Sequence, residues 1–344
     1  MRQRGQVHVG SLDDLAGSVC LVTGGLGFIG SNTALALAAA GAEVRVLDAL
    51  VPEHGGNPRN ISEWHPSSGV EVTVGDISDS DLVARLLDGV DVVFNIAGQV
   101  SHLESMVDPL RDLDINVRSQ LVFLETVRRV RPDAVVVHTS TRQVFGRPRY
   151  QPVDEEHPAV PRDINGVDKL AGEFYHRLYG TVHGIRTVSL RLTNVYGPRQ
   201  DLRKPGLGFL PVFVSRVLRG EPLQVFGDGS QQRDCVHVDD VVEVLARSAT
   251  AARRGAVAPG EYFNVGHRQS LALAEIAGVM SELGGGRSPV VHTPWPEDLT
   301  RIDIGGFSGD YTKVSRSLGW ESSIGFSDGM SRTLDFYREH QWYL

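Results

Sequence analysis

The chain is poor in sulfur, has no long apolar run and carries no basic surplus. Its only cysteines among 344 residues are Cys20 and Cys235. Two are too few for a cysteine metal cluster, and Cys20 sits inside an apolar run, so both read as small buried side chains in a reducing compartment. No apolar stretch reaches about 18 residues, which excludes a spanning helix and a membrane partner. The N-terminus has no signal-peptide core, so the expected location is cytoplasmic. With 34 Lys and Arg against 42 Asp and Glu, the formal net charge is -8, which argues against nucleic acid because phosphate binding needs a basic stripe. The densest basic run, Arg128, Arg129 and Arg131, ends a helical pattern, where cations complement the helix dipole.

What is present is ordinary for an α/β enzyme: 41% hydrophobic and 22% charged residues, in a chain long enough for one large domain or two modest ones. Residues 1–17 are polar and read as an N-terminal arm with a short turn at Leu12-Leu15. From Val19 strand and helix patterns alternate, the mark of a parallel sheet covered on both faces. Strands are expected at 19–23, 43–48, 70–75, 91–96, 134–140 and 185–192, with helices at 28–40, 79–88, 108–130 and 164–180. This gives a Rossmann domain over 18–193. Beyond it, Gly-, Pro- and Arg-rich segments suggest a smaller lobe over 194–344, with a helix from Val236 to Ala249 and a strand from Glu261 to Val265 returning to the main sheet over about 236–265.

The motif with the most chemistry is Thr23-Gly24-Gly25-Leu26-Gly27-Phe28-Ile29-Gly30. Gly24 permits a tight turn, Gly27 lets the backbone approach a pyrophosphate, and Gly30 lets the helix pack against the strand. The helix N-terminus at Phe28-Ile29-Gly30 then offers unpaired N–H groups and a positive dipole to phosphates. Asp48 ends the second strand, where a carboxylate accepts ribose hydroxyls and repels a 2′-phosphate, so NAD is expected over NADP. The bland alternative for Asp48 is a loop cap.

Together these residues resemble the extended short-chain dehydrogenase/reductase family, in particular its NAD-dependent nucleotide-sugar epimerases and dehydratases of the UDP-glucose 4-epimerase kind. The likeness runs from Val19 to Trp320. It implies that Asp76 contacts the adenosine beside Ile77, that Ala97 lies along the cofactor, and that Asn116 supports the catalytic loop. It also implies that Thr141 bonds the sugar oxygen being oxidised. In the family's 4,6-dehydratases an Asp-Glu pair follows that hydroxyl; this chain has Arg142 and Gln143, neither able to act as a general acid at neutral pH.

The family's Tyr-x-x-x-Lys is broken. Lys169 is in place to hold the nicotinamide ribose, but Asn165 stands where the tyrosine belongs, and no tyrosine in the chain has a lysine four residues on. An amide can position a hydroxyl but cannot take its proton. Three explanations remain open: another base, either Lys169 or His102; an ordered water in place of the phenol; or lost turnover with ligand binding retained. His102 is expected on a loop facing the nicotinamide, where imidazole suits acid–base work near neutral pH; alternatively it only touches substrate.

Thr141, Arg142 and Gln143 are expected to contact the substrate, and the resemblance implies that Asn194, Arg233 and Arg301 meet its nucleotide diphosphate, arginine's planar fork suiting phosphate. Phe226 either packs under the base or belongs to the core. His237, Asp239 and Asp240 read as a helix start with an aspartate cap, not a metal site. The resulting expectation is a nucleotide-sugar 4-epimerase holding NAD, with hexose, uronic acid or heptose as the sugar, and a homodimer joined through the helices at 108–130 and 164–180. Other 4-keto-sugar chemistry, or a non-catalytic NAD- and nucleotide-sugar-binding protein, is the alternative.

Overall fold

Alternating burial in the first strand dictates the architecture. In β1 (Val19–Thr23), Cys20 and Val22 enter one apolar core and Leu21 another, so both faces must be covered. The computed structural model describes residues 11–51, 56–62, 69–203, 208–296 and 303–344. After β1 come α1 (Phe28–Ala39), β2 (Glu43–Asp48), the short α2 (Arg59–Ser62), β3 (Val70–Val74), α3 (Ser80–Leu86) and β4 (Val92–Asn95). Next are α4 (His102–Val107), α5 (Pro109–Leu113), a π-helical turn (Asp114–Arg118), α6 (Ser119–Val130), β5 (Val135–Thr141), α7 (Ile164–His183) and β6 (Arg186–Leu192). The second half holds β7 (Asn194–Tyr196), α8 (Phe209–Arg219), β8 (Leu223–Phe226), β9 (Gln232–Arg233), β10 (Cys235–His237), α9 (Val238–Arg253) and β11 (Glu261–Val265).

Seven strands form one parallel sheet in the order β11-β6-β5-β4-β1-β2-β3. The order reverses between β1 and β4, and an open α/β sheet binds ligands at such a switch point, beyond the carboxyl ends of its strands. One core packs Val22, Val46, Phe94 and Val137 against α1 and α9. The opposite core packs Leu21, Val93 and Val136 against Phe123 and Val127 of α6 and Tyr179 of α7. A third joins α8 and β8 to the helix Phe326–Glu339 through Phe213, Leu223, Met330 and Tyr337.

The turn expected at Leu12–Leu15 is present as one helical turn, and it is packed down, with Leu15 fully buried in the first core. Three expectations need correction. The helix expected over 108–130 is broken by the π turn; such bulges insert an extra residue and are frequent at functional sites. His102 is not on a loop but begins α4. The cap of α9 is His237, whose Nδ1 accepts from Asp239 N at 3.2 Å, rather than an aspartate. Asp240 instead accepts from Ser323 N and Ile324 N, both at 3.1 Å, tying α9 to the segment before the Phe326–Glu339 helix.

Candidate active site

A cavity of about 740 Å³ runs along the carboxyl edge of the sheet, from the turn after β1 to the end of β5 and the start of α8. At one end lies the glycine turn. Gly24 has φ +64°, and a Cβ there would stand 2.9 Å from the Ala97 backbone. A Cβ at Gly30 would overlap the Gly24 carbonyl oxygen, so the helix can lie this close to the strand only with glycine. Gly25, which the motif spacing did not single out, leaves room for the Val46 side chain 2.7 Å from where its Cβ would be. Gly27, Phe28 and Ile29 line the cavity beside these two, as do Asp76, Ile77 and Ala97 further along. The Asp76 carboxylate accepts from Ser78 N at 2.7 Å.

Asp48 lines the same wall. Its Oδ2 accepts from Leu26 N at 3.0 Å and its Oδ1 from Leu50 N at 2.9 Å. It therefore is a loop cap, yet each oxygen keeps acceptor capacity for a ribose. Burial raises its pKa, and the two N–H bonds oppose that rise.

At the other end, Thr141 closes β5 and its Oγ1 accepts from Gln143 N at 3.2 Å. The inward face of α7 carries Asn165, Asp168, Lys169 and Glu173 at helical spacing. Lys169 is buried against the loop after β4: a Cβ at Gly98 would overlap its Nζ. Burial pushes its ammonium down to about 8, against the pull of the Asp112 carboxylate. Asn165 is 1% exposed. Both its amide hydrogens are committed, to Gln99 O at 3.0 Å and Asp112 Oδ2 at 3.1 Å. Only Oδ1, an acceptor, is left for a ligand. Asn116, on the π turn, donates to Asp112 Oδ1 at 2.9 Å and accepts from Gln99 N at 3.1 Å. Asp168 lies beside Asp112; burial, then the hydrogen bond to Asp112 and its charge, push Asp168 up to about 7. Two carboxyls this close oppose each other's ionisation, which is why the charge of Asp112 adds to the effect of burial on Asp168.

His102 also lines the cavity. Its Nδ1 is 2.9 Å from Asp163 Oδ2, an approach close in distance but tilted from the N–H direction. Its Nε2 is 3.0 Å from the Gln143 side-chain nitrogen.

The third group is cationic. Arg142 is 7% exposed. It donates from Nη2 to Asn194 Oδ1 at 3.1 Å, lies 5.1 Å over the Phe307 ring, and leaves Nη1 without a partner. Burial, then the charge of Arg233, lower its pKa to about 10. Arg233 donates to the Gln232 and Gly305 carbonyls, both at 2.8 Å, with Asp303 at 4.0 Å. The guanidinium is therefore already half committed to the backbone. Arg142, Asn194 and Arg233 all line the cavity; Arg301 lies outside the described residues. Phe226 is tilted against Trp295 with ring centroids 5.4 Å apart.

A model described as the NAD dependent epimerase/dehydratase family matches residues 20–266. The chain belongs to that family. The UDP-glucose 4-epimerase of Mycolicibacterium smegmatis is 32% identical over 320 residues, covering 92% of this chain and 98% of the relative. The dTDP-glucose 4,6-dehydratase of Streptomyces niveus is 30% identical over 328 residues, covering 93% of each. Among solved structures, the UDP-glucose 4-epimerase of Thermotoga maritima with UDP-glucose is 30% identical, with a TM-score of 0.82, 94% of this chain and 99% of that chain covered.

NAD is this family's cofactor, and the glycine cradle fits it: only backbone lies where a Cβ at Gly24 or Gly30 would intrude. The epimerase/dehydratase resemblance read from the sequence holds, and so does the departure at Asn165. Sequence reasoning missed Asp112, Asp163 and Asp168, and the α8 start at Phe209, which lines the cavity. Two signals were available. Ser101-His102-Leu103-Glu104 has the Ser-x-x-Glu form that opens a helix, and Ser101 Oγ does accept from Glu104 N at 3.3 Å. Asp163 stands three residues before Gly166, whose N–H it caps at 2.6 Å. Among the described residues no helix is long and apolar enough to cross a membrane.

Proposed function

We propose that this chain is a nucleotide-sugar 4-epimerase working through a transient 4-keto sugar. The observation that supports it most is the single cavity shared by the glycine cradle, Asp48, Thr141 and Lys169. When bound, NAD supplies reversible removal of the C4 hydrogen with its electron pair. The protein's share is placement and charge. Asp48 accepts from the adenosine ribose, the cationic Lys169 holds the nicotinamide ribose, and Thr141 orients the sugar oxygen, while Asn165 can offer it only an acceptor. Arg142 and Arg233 place two cations at the far end of the cavity for a diphosphate-linked sugar, with Asn194 holding Arg142. Against 4,6-dehydration, the two side chains after Thr141 are a guanidinium bonded to Asn194 and an amide facing His102. Neither exchanges protons at neutral pH.

The test is proton NMR in deuterated water with NAD and UDP-, dTDP-, ADP-, GDP- and CDP-linked sugars. A C4 epimer without solvent deuterium on carbon is the expected product. Deuterium at C5, or a lost hydroxyl, would replace the reading with elimination; no change with any sugar would favour a binding protein.

The same reading includes a homodimer. On α7, Val167, Phe174, Leu178 and Val182 are 48 to 65% exposed and fall on one helical face. A second copy of the chain is the partner proposed for it. Light scattering is expected to give twice the 37.5 kDa chain mass, and Phe174→Glu to shift it toward the monomer; a monomeric parent refutes the assignment.

A further inference from the structure

An epimerase without the family phenol still has to move the C4 hydroxyl proton. Four groups that line this end of the cavity come into question: Lys169, Asn165, Thr141 and His102. Lys169 is brought down only to about 8 and stays mainly a cation at neutral pH, which suits ribose binding but not proton acceptance. Asn165 has no titratable group, and Thr141 is a far weaker base than an imidazole. His102 is different. Its Nδ1 lies 2.9 Å from Asp163 Oδ2 but is not aligned for a hydrogen bond and has no other partner, so a turn of the ring toward the carboxylate is all that the pair needs. Asp163 is itself buried and held by the Gly166 N–H, so its carboxylate is fixed in place at the start of α7. A carboxylate there favours hydrogen on Nδ1 and so leaves the Nε2 lone pair free. That lone pair faces the Gln143 side-chain nitrogen at 3.0 Å, on the turn that begins with Thr141.

We infer that His102, oriented by Asp163, takes and returns the sugar hydroxyl proton in place of the missing tyrosine. This rests on the 4-epimerase reading. The hydroxyl proton goes to His102 Nε2 and the C4 hydrogen leaves with its electron pair to NAD, so the C–O bond becomes C=O. The reverse step returns both, the hydrogen to the other face, and restores neutral His102. Asp163 is the positioning residue and stabilises the imidazolium. Gln143 serves both states, since its amide donates to the bare Nε2 and, turned over, accepts from the protonated one; its Oε1 has no partner in the observed orientation. The sugar hydroxyl takes Gln143's place at Nε2 during the transfer.

Two measurements test this on the full-length, NAD-loaded protein. In 15N-labelled protein, ring-nitrogen NMR assigned by loss of signal in His102→Gln is expected to show hydrogen on Nδ1 and a bare Nε2, and Asp163→Asn to move it toward Nε2. Hydrogen on Nε2 in the parent, or a tautomer indifferent to Asp163→Asn, overturns the dyad. With whichever panel sugar the parent epimerises, His102→Ala is expected to lower kcat by about 10²- to 10⁴-fold at similar KM, with added imidazole restoring part of it. Retained bound NAD and an unchanged Tm show that the variant is folded. Undiminished kcat in His102→Ala overturns the inference while leaving the epimerase reading intact. A parent that epimerises none of the sugars overturns the epimerase reading, and the tautomer measurement then decides the dyad alone.

Discussion

Glu173 is fully buried on α7, and its carboxylate takes three hydrogen bonds from Arg191 on β6, the shortest being Nη2 to Oε1 at 2.7 Å. Ser140 Oγ donates to the same carboxylate at 2.8 Å, one residue before Thr141. Arg191 is 3% exposed and lies between the rings of Phe145 and Tyr262, 4.8 and 4.5 Å from their centroids. Glu173→Gln keeps the shape but leaves a buried guanidinium facing a neutral amide. Removing one partner of such a pair costs about 3–5 kcal/mol. With about 2.1 cal/mol/K of unfolding entropy per residue, a cooperative chain of this length loses about 4–7 °C in Tm. Thermal unfolding followed by circular dichroism at pH 7 measures it. Arg191→Met should cost a similar amount for the opposite reason. The double variant, with no buried charge left at the pair, should be more stable than the sum of the single losses predicts by about 2 kcal/mol. A Tm change under about 1 °C in Glu173→Gln, or strict additivity in the double variant, would refute the reasoning.

Three further outcomes are expected. Gly30→Ala, whose methyl would overlap the Gly24 carbonyl, should weaken NAD binding by at least about tenfold, equivalent to 1.4 kcal/mol, in calorimetric titration; unchanged affinity would mean the helix is free to shift. Asp48→Asn, which keeps one acceptor oxygen but loses the charge, should narrow the preference for NAD over NADP by about tenfold in the same assay; an unaltered ratio would remove Asp48 from cofactor choice. Asp168 is raised to about 7, largely by burial, from 3.8. The folded carboxyl then keeps its proton where the unfolded one has lost it, so this group's contribution is full below pH 3.8 and is lost as pH rises to about 7. Asp168→Asn should therefore gain Tm over the parent at pH 8 but not at pH 4; equal differences at both pH values would contradict the shift.

The cofactor half of the site was legible in the chain because its signals are local. A strand, a turn closed by Gly24, a helix starting at Phe28 and an acid ending the next strand all lie within about thirty residues, and each follows from backbone sterics or hydrogen-bond need. The loss of the tyrosine was equally plain, as a single residue at a fixed offset from Lys169. What sequence by itself determined was thus the family, the cofactor and the gap in its chemistry. Only the tertiary structure decided what surrounds that gap. Asn165 meets Asp112 from 53 residues away, and His102 meets Asp163 from a different helix. The periodicity of α4, α5 and α7 says which residues turn inward on each helix, but not which buried polar groups then face one another. That pairing depends on α4, α5 and α7 packing against one another, with Asn116 carried on the π turn and bonded to both Asp112 and Gln99. It is enforced because a buried charge or amide must find a partner, and the nearest one belongs to another element.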